Sequence, residues 1–99
     1  MAYIVITGKF PGHKASKIGK RFLDLPKLPD FVKTEHVFNT VEGKYRFFSI
    51  YEITEEEKYF EGLKAIYTRY AGYKDIEGYE YTVYPVLEAK DALRIIGLG

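Results

Sequence analysis

The side chains of this chain that could do chemistry are mainly hydroxyl groups on predicted strands. Ten of the 99 residues are tyrosines, and a phenol combines apolar area with a hydroxyl that needs a hydrogen-bond partner when it is buried. An apolar pocket with a few hydroxyl groups suits a small aromatic or lipophilic ligand. The residues that we therefore predict to contact a ligand are Thr7, His36, Ser49, Tyr51, Thr82 and Tyr84. The alternative interpretation is that these side chains only pack in the core.

Patterns typical of catalytic or metal sites do not accompany these side chains. Cysteine is absent and the two histidines, His13 and His36, are far apart in the sequence, so the spacing of a metal site is missing. His36 could act as a base or a ligand, and the alternative is an exposed position on an edge strand. The segment GKFPGHK (8–14) lacks the spacing of a phosphate-binding loop. We predict no catalytic residue, no metal and no cofactor, and leave open whether the protein is an enzyme.

The composition indicates a single globular domain over residues 1–99. Hydrophobic residues make up 46% of the chain, and 15 basic against 14 acidic side chains give a net charge of +1. Such a balance does not favour polyanion binding. The apolar runs are too short to cross a bilayer and the start lacks signal-peptide features, so we expect a cytoplasmic protein. The lack of glutamine, with abundant Lys, Glu, Ile and Tyr, is a bias seen in thermophile proteins.

Hydrophobic periodicity and turn residues predict an α+β fold. Pro26 and Pro29 end the first helix, and Pro85 places the last strand at a sheet edge. The order βαββαβ forms a ferredoxin-like four-stranded antiparallel sheet with both long helices on one face, followed by a short terminal helix. The predicted strands cover residues 3–10, 31–41, 44–53 and 79–86, and the predicted helices cover 13–25, 55–70 and 88–96.

The third predicted strand, within GKYRFFSIYEIT (43–54), carries large apolar residues on both faces. Since an apolar sheet face left in water would be sticky, we expect a second copy to cover it, in a homodimer or a larger homo-oligomer. The residues predicted to face the helices are Ile4, Ile6, Phe48 and Ile50. Those predicted on the uncovered face are Val5, Tyr45, Phe47 and Tyr51, with Thr7 and Ser49 among them.

Single-stranded RNA is an alternative cover for that face. RNA-recognition motifs share this topology and present rings at alternate positions of their third strand. Tyr45 and Phe47 have that spacing, and Tyr3 could supply a third ring. However, Lys44 and Arg46 stand where that motif has small residues. Nucleic acid is therefore the less favoured partner.

Four segments resemble the dimeric α+β barrel superfamily, and within it a small uncharacterised family. They are GKFPG (8–12), KRF (20–22), GKYRFFSIYE (43–52) and EYTVYPVLEAKDA (80–92). The resemblance implies the ferredoxin-like fold and a barrel made by two chains. Because the superfamily includes cofactor-free monooxygenases, haem-handling enzymes and effector-binding domains, it implies no particular function. We expect a homodimeric barrel that binds a small aromatic or lipophilic molecule in its interior. The alternative is a structural or regulatory dimer without a ligand site.

Overall fold

A computed structural model describes residues 2–97 and contains the predicted elements in the predicted order. The four strands are β1 (Ala2–Pro11), β2 (Val32–Asn39), β3 (Lys44–Ile53) and β4 (Glu80–Val86). The three α-helices are α1 (Ala15–Asp24), α2 (Tyr59–Ala71) and α3 (Ala89–Ile95), and short 3₁₀ turns at Gly12–Lys14 and Glu56–Lys58 precede α1 and α2. Within residues 2–97, no helix is long and apolar enough to cross a membrane.

The strands form one antiparallel sheet in the order β2-β3-β1-β4. This order is the ferredoxin-like arrangement, which confirms the predicted fold class. Both strands predicted at edges, β2 and β4, lie there. A register shift between Thr34 and His36 adds a bulge to β2, and Pro85 lies in β4.

The core lies between one face of this sheet and the helices, and we call that surface the helix face. Ile4 and Ile6 of β1 are fully buried there, as is Ile66 of α2. Residues directly opposite each other in an antiparallel pair share a face. The partners of Ile4 and Ile6 on β3 are Tyr51 and Ser49, so these two residues also face the helices.

The predicted face assignment of β3 was therefore wrong by one residue. Phe47 is only 6% exposed and faces the helices, while Phe48 is 46% exposed and lies on the other surface, which we call the open face. The same correction places Tyr45, Ser49 and Tyr51 on the helix face and Ile50 on the open face. The error arose because side chains alternate with a period of two and β3 is apolar in both phases.

Gly8 explains why the helix face has room for the ring of Phe47. It is the cross-strand partner of Phe47, and a Cβ atom added to Gly8 would collide with the Phe47 ring and with the carbonyl oxygen of Glu80. The ring therefore occupies space that any other residue at position 8 would fill. Pairing the smallest residue with a large ring fills this part of the core without a collision or a void.

The helices differ in how deeply they pack. Gly62, Ile66 and Tyr70 of α2 are buried, whereas α1 and α3 contain no buried residue. The apolar residues of α1 that point to the sheet, such as Ile18, stay partly accessible. The shallow seating of α1 leaves space between this helix and the sheet.

Candidate ligand-binding site

The six side chains predicted to contact a ligand are divided between the two faces of the sheet. Thr7 and Thr82 are cross-strand partners on the open face, and Tyr84 follows them on the same face of β4. His36 is also on the open face, but at the opposite edge, where it is exposed and stacks on Phe38 at 5.3 Å between ring centroids. Three strand spacings separate β2 from β4, or about 14 Å, so His36 and Tyr84 do not converge on one small molecule.

The remaining two predicted residues, Ser49 and Tyr51, lie on the helix face and are 2% and 5% exposed. The sheet backbone separates them from Thr7, Thr82 and Tyr84. The open face and the helix face must therefore be considered as separate candidate sites.

A cleft of about 320 Å³ lies between α1 and the helix face. Its walls come from α1 on one side and from β1, β2, β3 and Tyr79, just before β4, on the other, with Tyr70 of α2 and the nearby Tyr73 also lining it. The residues that matter most for its shape are Phe10, Ile18, Phe22, Tyr45, Phe47 and Tyr79. Ile18 and Phe22 lie at helical spacing in the sequence, which indicates the packed side of α1 but gives no sign that this helix stands off the sheet.

The aromatic rings of the cleft form a continuous stacked wall. Tyr79 lies parallel to Phe10 with ring centroids 6.2 Å apart, and it also stacks on Phe47 at 5.6 Å and on Tyr73 at 4.7 Å. Phe10 contacts Tyr45 at 5.3 Å. Each ring is held by its neighbours, so the wall is a preformed apolar surface of the kind that small-molecule pockets use.

Three buried hydroxyl groups are linked behind this wall. The Tyr70 hydroxyl donates to Ser49 Oγ at 3.1 Å, and it lies 2.9 Å from the hydroxyl of Tyr51. Ser49 and Tyr70 both line the cleft. Burial raises the pKa of the Tyr70 phenol far above its usual value, and the neighbouring Tyr51 adds to the shift. Burial likewise raises the pKa of Tyr79. These phenols are therefore neutral at physiological pH, and the cleft is polar at one point without being charged there.

An ion pair holds the C-terminal half of α1 in place. Arg21 donates from Nη1 to the carbonyl oxygen of Gly72 and to Asp75 Oδ1, both at 2.6 Å, and from Nη2 to Asp75 Oδ2 at 3.0 Å. The hydrogen bond from Arg21 lowers the pKa of Asp75 to about 2. The guanidinium of Arg69 also sits 4.8 Å from the Phe22 ring centroid. These polar contacts fix the helix that closes the cleft, in place of deep packing.

Two other depressions are less suited to a ligand. One of about 550 Å³ lies beside α3 and is lined by residues such as Ala2, Tyr59 and Leu87. The other, about 330 Å³, is on the open face near Arg46 and Thr82. We favour the cleft beneath α1, because it combines an aromatic wall with two deeply buried hydroxyl groups.

The histidines and carboxylates do not add a further site. Within residues 2–97, no three His, Asp or Glu side chains converge as metal ligands would. The rings proposed for RNA stacking, Tyr45 and Phe47, face the helices and cannot stack on bases at the open face. The RNA hypothesis is therefore wrong about these two rings, whereas the third ring, Tyr3, does lie on the open face.

Comparison with known proteins supports the fold alone. No protein-family model matches the sequence, and no curated protein does either. A solved structure, the de novo designed protein Foldit4, superimposes with a TM-score of 0.60 at 16% sequence identity, covering 88% of this chain and 97% of that one. At this identity the likeness reports shared architecture, which is a small α+β fold with a four-stranded antiparallel sheet.

Proposed function

We propose that the protein is a homodimer that binds a small neutral aromatic or lipophilic molecule in the cleft beneath α1. The observation that carries the proposal is the cleft itself, in which a stacked aromatic wall surrounds the buried hydroxyls of Ser49 and Tyr70. Such a combination gives apolar contact area and a few fixed polar groups, as ligand pockets require. The proposal does not include a reaction.

The dimer part of the proposal rests on the open face. Phe38, Phe48 and Tyr84 are each about half exposed there, at 53%, 46% and 47%. Val5 and Ile50 lie between them, so an apolar band crosses all four strands. Arg46 and Lys9 border the band at one end, and Lys33 borders it at the other, beside the buried Glu52. A band of apolar residues with a charged border is typical of protein interfaces.

The size of the exposed surface agrees with a dimer. The chain exposes 6846 Å², whereas a folded monomer of this mass is expected to expose about 5,800 Å². The radius of gyration is 15.0 Å, against about 13 Å for a compact chain of this length. The excess, about 1,000 Å², is of the same order as the roughly 800 Å² that each partner buries in a standard interface.

The two parts of the proposal are compatible because they use opposite faces of the sheet. Pairing of the open faces of two chains would make a barrel of two sheets, as in the dimeric α+β barrel arrangement, and would leave each cleft accessible. The ligand would then lie between helix and sheet within one chain, instead of in the barrel interior that the sequence suggested.

A neutral fluorescent probe tests the cleft. N-phenyl-1-naphthylamine, which becomes brighter in apolar surroundings, should bind the wild-type protein with a saturable signal. Phe22→Ala removes part of the cleft wall and should weaken binding about tenfold, because losing roughly half of a phenylalanine's burial costs about 1.4 kcal/mol.

The matched control is Leu23→Ala. Leu23 is the next residue of α1, is 80% exposed and does not line the cleft. The affinity of the Leu23→Ala variant for the probe should therefore equal that of the wild type. Equal weakening by both substitutions, or no saturable binding to the wild type, would contradict the proposal. In that case a structural dimer without a ligand site is the better account.

A further inference from the structure

Resting on the proposed function, we infer that the ligand of the cleft carries a neutral hydrogen-bond acceptor, such as a carbonyl oxygen, that accepts a hydrogen bond from Ser49. The inference comes from the direction of the hydrogen bonds that link Ser49, Tyr70 and Tyr51. It narrows the ligand class from any neutral aromatic compound to one with a neutral acceptor, for which an aromatic ketone is the test case.

Three hydroxyl groups carry three protons, and two hydrogen bonds join them, so one proton is left without a partner inside the network. Tyr70 donates its proton to Ser49. The bond between Tyr70 and Tyr51 must then use the proton of Tyr51. The unused proton is therefore that of Ser49, which finds no acceptor among the hydrogen bonds of residues 2–97.

The position of Ser49 turns this surplus proton into a recognition element. Ser49 is 2% exposed and lines the cleft, so water has little access to it. A buried donor without an acceptor is costly, and a ligand that supplies an acceptor removes that cost. The protein thus presents one donor at a fixed point within an aromatic wall.

The surroundings of Ser49 select a neutral acceptor. The residues that line the cleft within the described part of the chain are apolar, aromatic or uncharged polar side chains. A carboxylate or phosphate would enter without a counter-charge, which is unfavourable in a largely apolar pocket. Tyr70 and Tyr79 stay protonated because burial raises the pKa of each phenol. A carbonyl oxygen accepts a hydrogen bond without bringing a charge.

Two compounds of matched shape test the inference. 2-Acetylnaphthalene has a carbonyl oxygen where 2-isopropenylnaphthalene has a methylene group, and each would be titrated against bound N-phenyl-1-naphthylamine. We expect the ketone to displace the probe from the wild type at about fivefold to tenfold lower concentration, the ratio that one added hydrogen bond gives. Ser49→Ala alone would free the Tyr70 proton at the same cleft, so the test variant combines Ser49→Ala with Tyr70→Phe. This double variant should lose the preference for the ketone while still binding both compounds.

Tyr51→Phe is the matched control. It deletes the hydroxyl of the network that does not line the cleft, so the donor at the cleft and the preference for the ketone should remain. Equal affinities of the two compounds for the wild type, or an unchanged preference in the Ser49→Ala, Tyr70→Phe double variant, would overturn the inference and leave the proposed function intact. Failure of the probe and both compounds to bind would instead remove the proposed function. Circular dichroism spectra show whether each variant is folded.

Discussion

Phe48→Asp is the most direct test of the proposed dimer. Phe48 lies in the middle of the open face, opposite Phe38 on β2 and Thr7 on β1. Its ring is 46% exposed in the single chain, so the fold needs only part of its apolar area. A charged residue at this position should leave the chain folded and prevent the open faces of two chains from meeting.

The expected magnitude follows from the area still exposed. Complete burial of a phenylalanine side chain contributes about 1.5–3 kcal/mol, and about half of that remains for the interface. Two copies of Phe48 therefore contribute roughly 2 kcal/mol to a symmetric dimer. Two unpaired carboxylates in the same place cost several kcal/mol more. A total of about 5 kcal/mol corresponds to an increase of between three and four powers of ten in the dimer dissociation constant.

Sedimentation velocity over a range of concentrations measures this change. The wild type should sediment at twice the chain mass of 11.5 kDa, or at a larger multiple if further copies assemble, and Phe48→Asp should sediment as a single chain. Phe60→Asp is the matched control, since Phe60 is on α2, away from the open face, and is 76% exposed. Its assembly should match that of the wild type.

Two results would refute the reasoning. A wild-type protein that sediments at 11.5 kDa even at the highest concentration would show that the apolar band tolerates water. A dimer whose dissociation constant is the same in Phe48→Asp as in the wild type would place the interface elsewhere.

Two further predictions concern the core and the ion pair of α1. Phe47→Ala should lower the free energy of unfolding in urea by about 3–5 kcal/mol, because it opens a cavity above Gly8, and a loss below about 1 kcal/mol would contradict the corrected face assignment. Asp75→Asn should weaken the dependence of the melting temperature on acid pH. The pKa of Asp75 is lowered from 3.8 to about 2 in the folded state, so its pair with Arg21 stabilises the fold above the unfolded pKa and is lost as the pH falls from about 5 to 2. Equal melting profiles of the variant and the wild type over that range would show that the pair does not contribute.

The order of elements could be predicted because the signals for it are local. Pro26 and Pro29 stop a helix by chain geometry, and a glycine at position 43 allows the tight turn between β2 and β3 with a φ of 58°. The alternation of the two βαβ units then leaves few possible topologies. These signals do not depend on contacts between distant residues.

The faces of β3 could not be predicted by the same means. Phe47 and Phe48 are identical side chains in opposite phases, so hydrophobicity alone does not say which one is buried. The decision depends on Gly8, which gives room for a ring directly across the strand pair. A glycine directly across the strand pair from an aromatic residue is the feature that distinguishes the buried phase of β3 from the exposed one.

The cleft was beyond sequence reasoning for a different reason. The apolar stripe of α1 indicates which side of the helix faces the sheet, but not how far from the sheet it stops. That distance is set by the large rings of Phe10, Tyr45 and Tyr79 beneath it and by the Arg21–Asp75 pair at its end. The distance between α1 and the sheet therefore depends on contacts between residues that are far apart in the sequence.

The two outer strands have a consequence for how copies of this chain can combine. On β2 the bulge between Thr34 and His36 interrupts the regular row of backbone groups, and on β4 Pro85 has no amide hydrogen to offer. Neither edge strand is a good template for another strand, so the sheet resists edge-to-edge pairing with other copies into fibres. The proposed pairing of the open faces would instead use a surface that two molecules can cover completely, which would favour a particle of finite size even when the protein is concentrated.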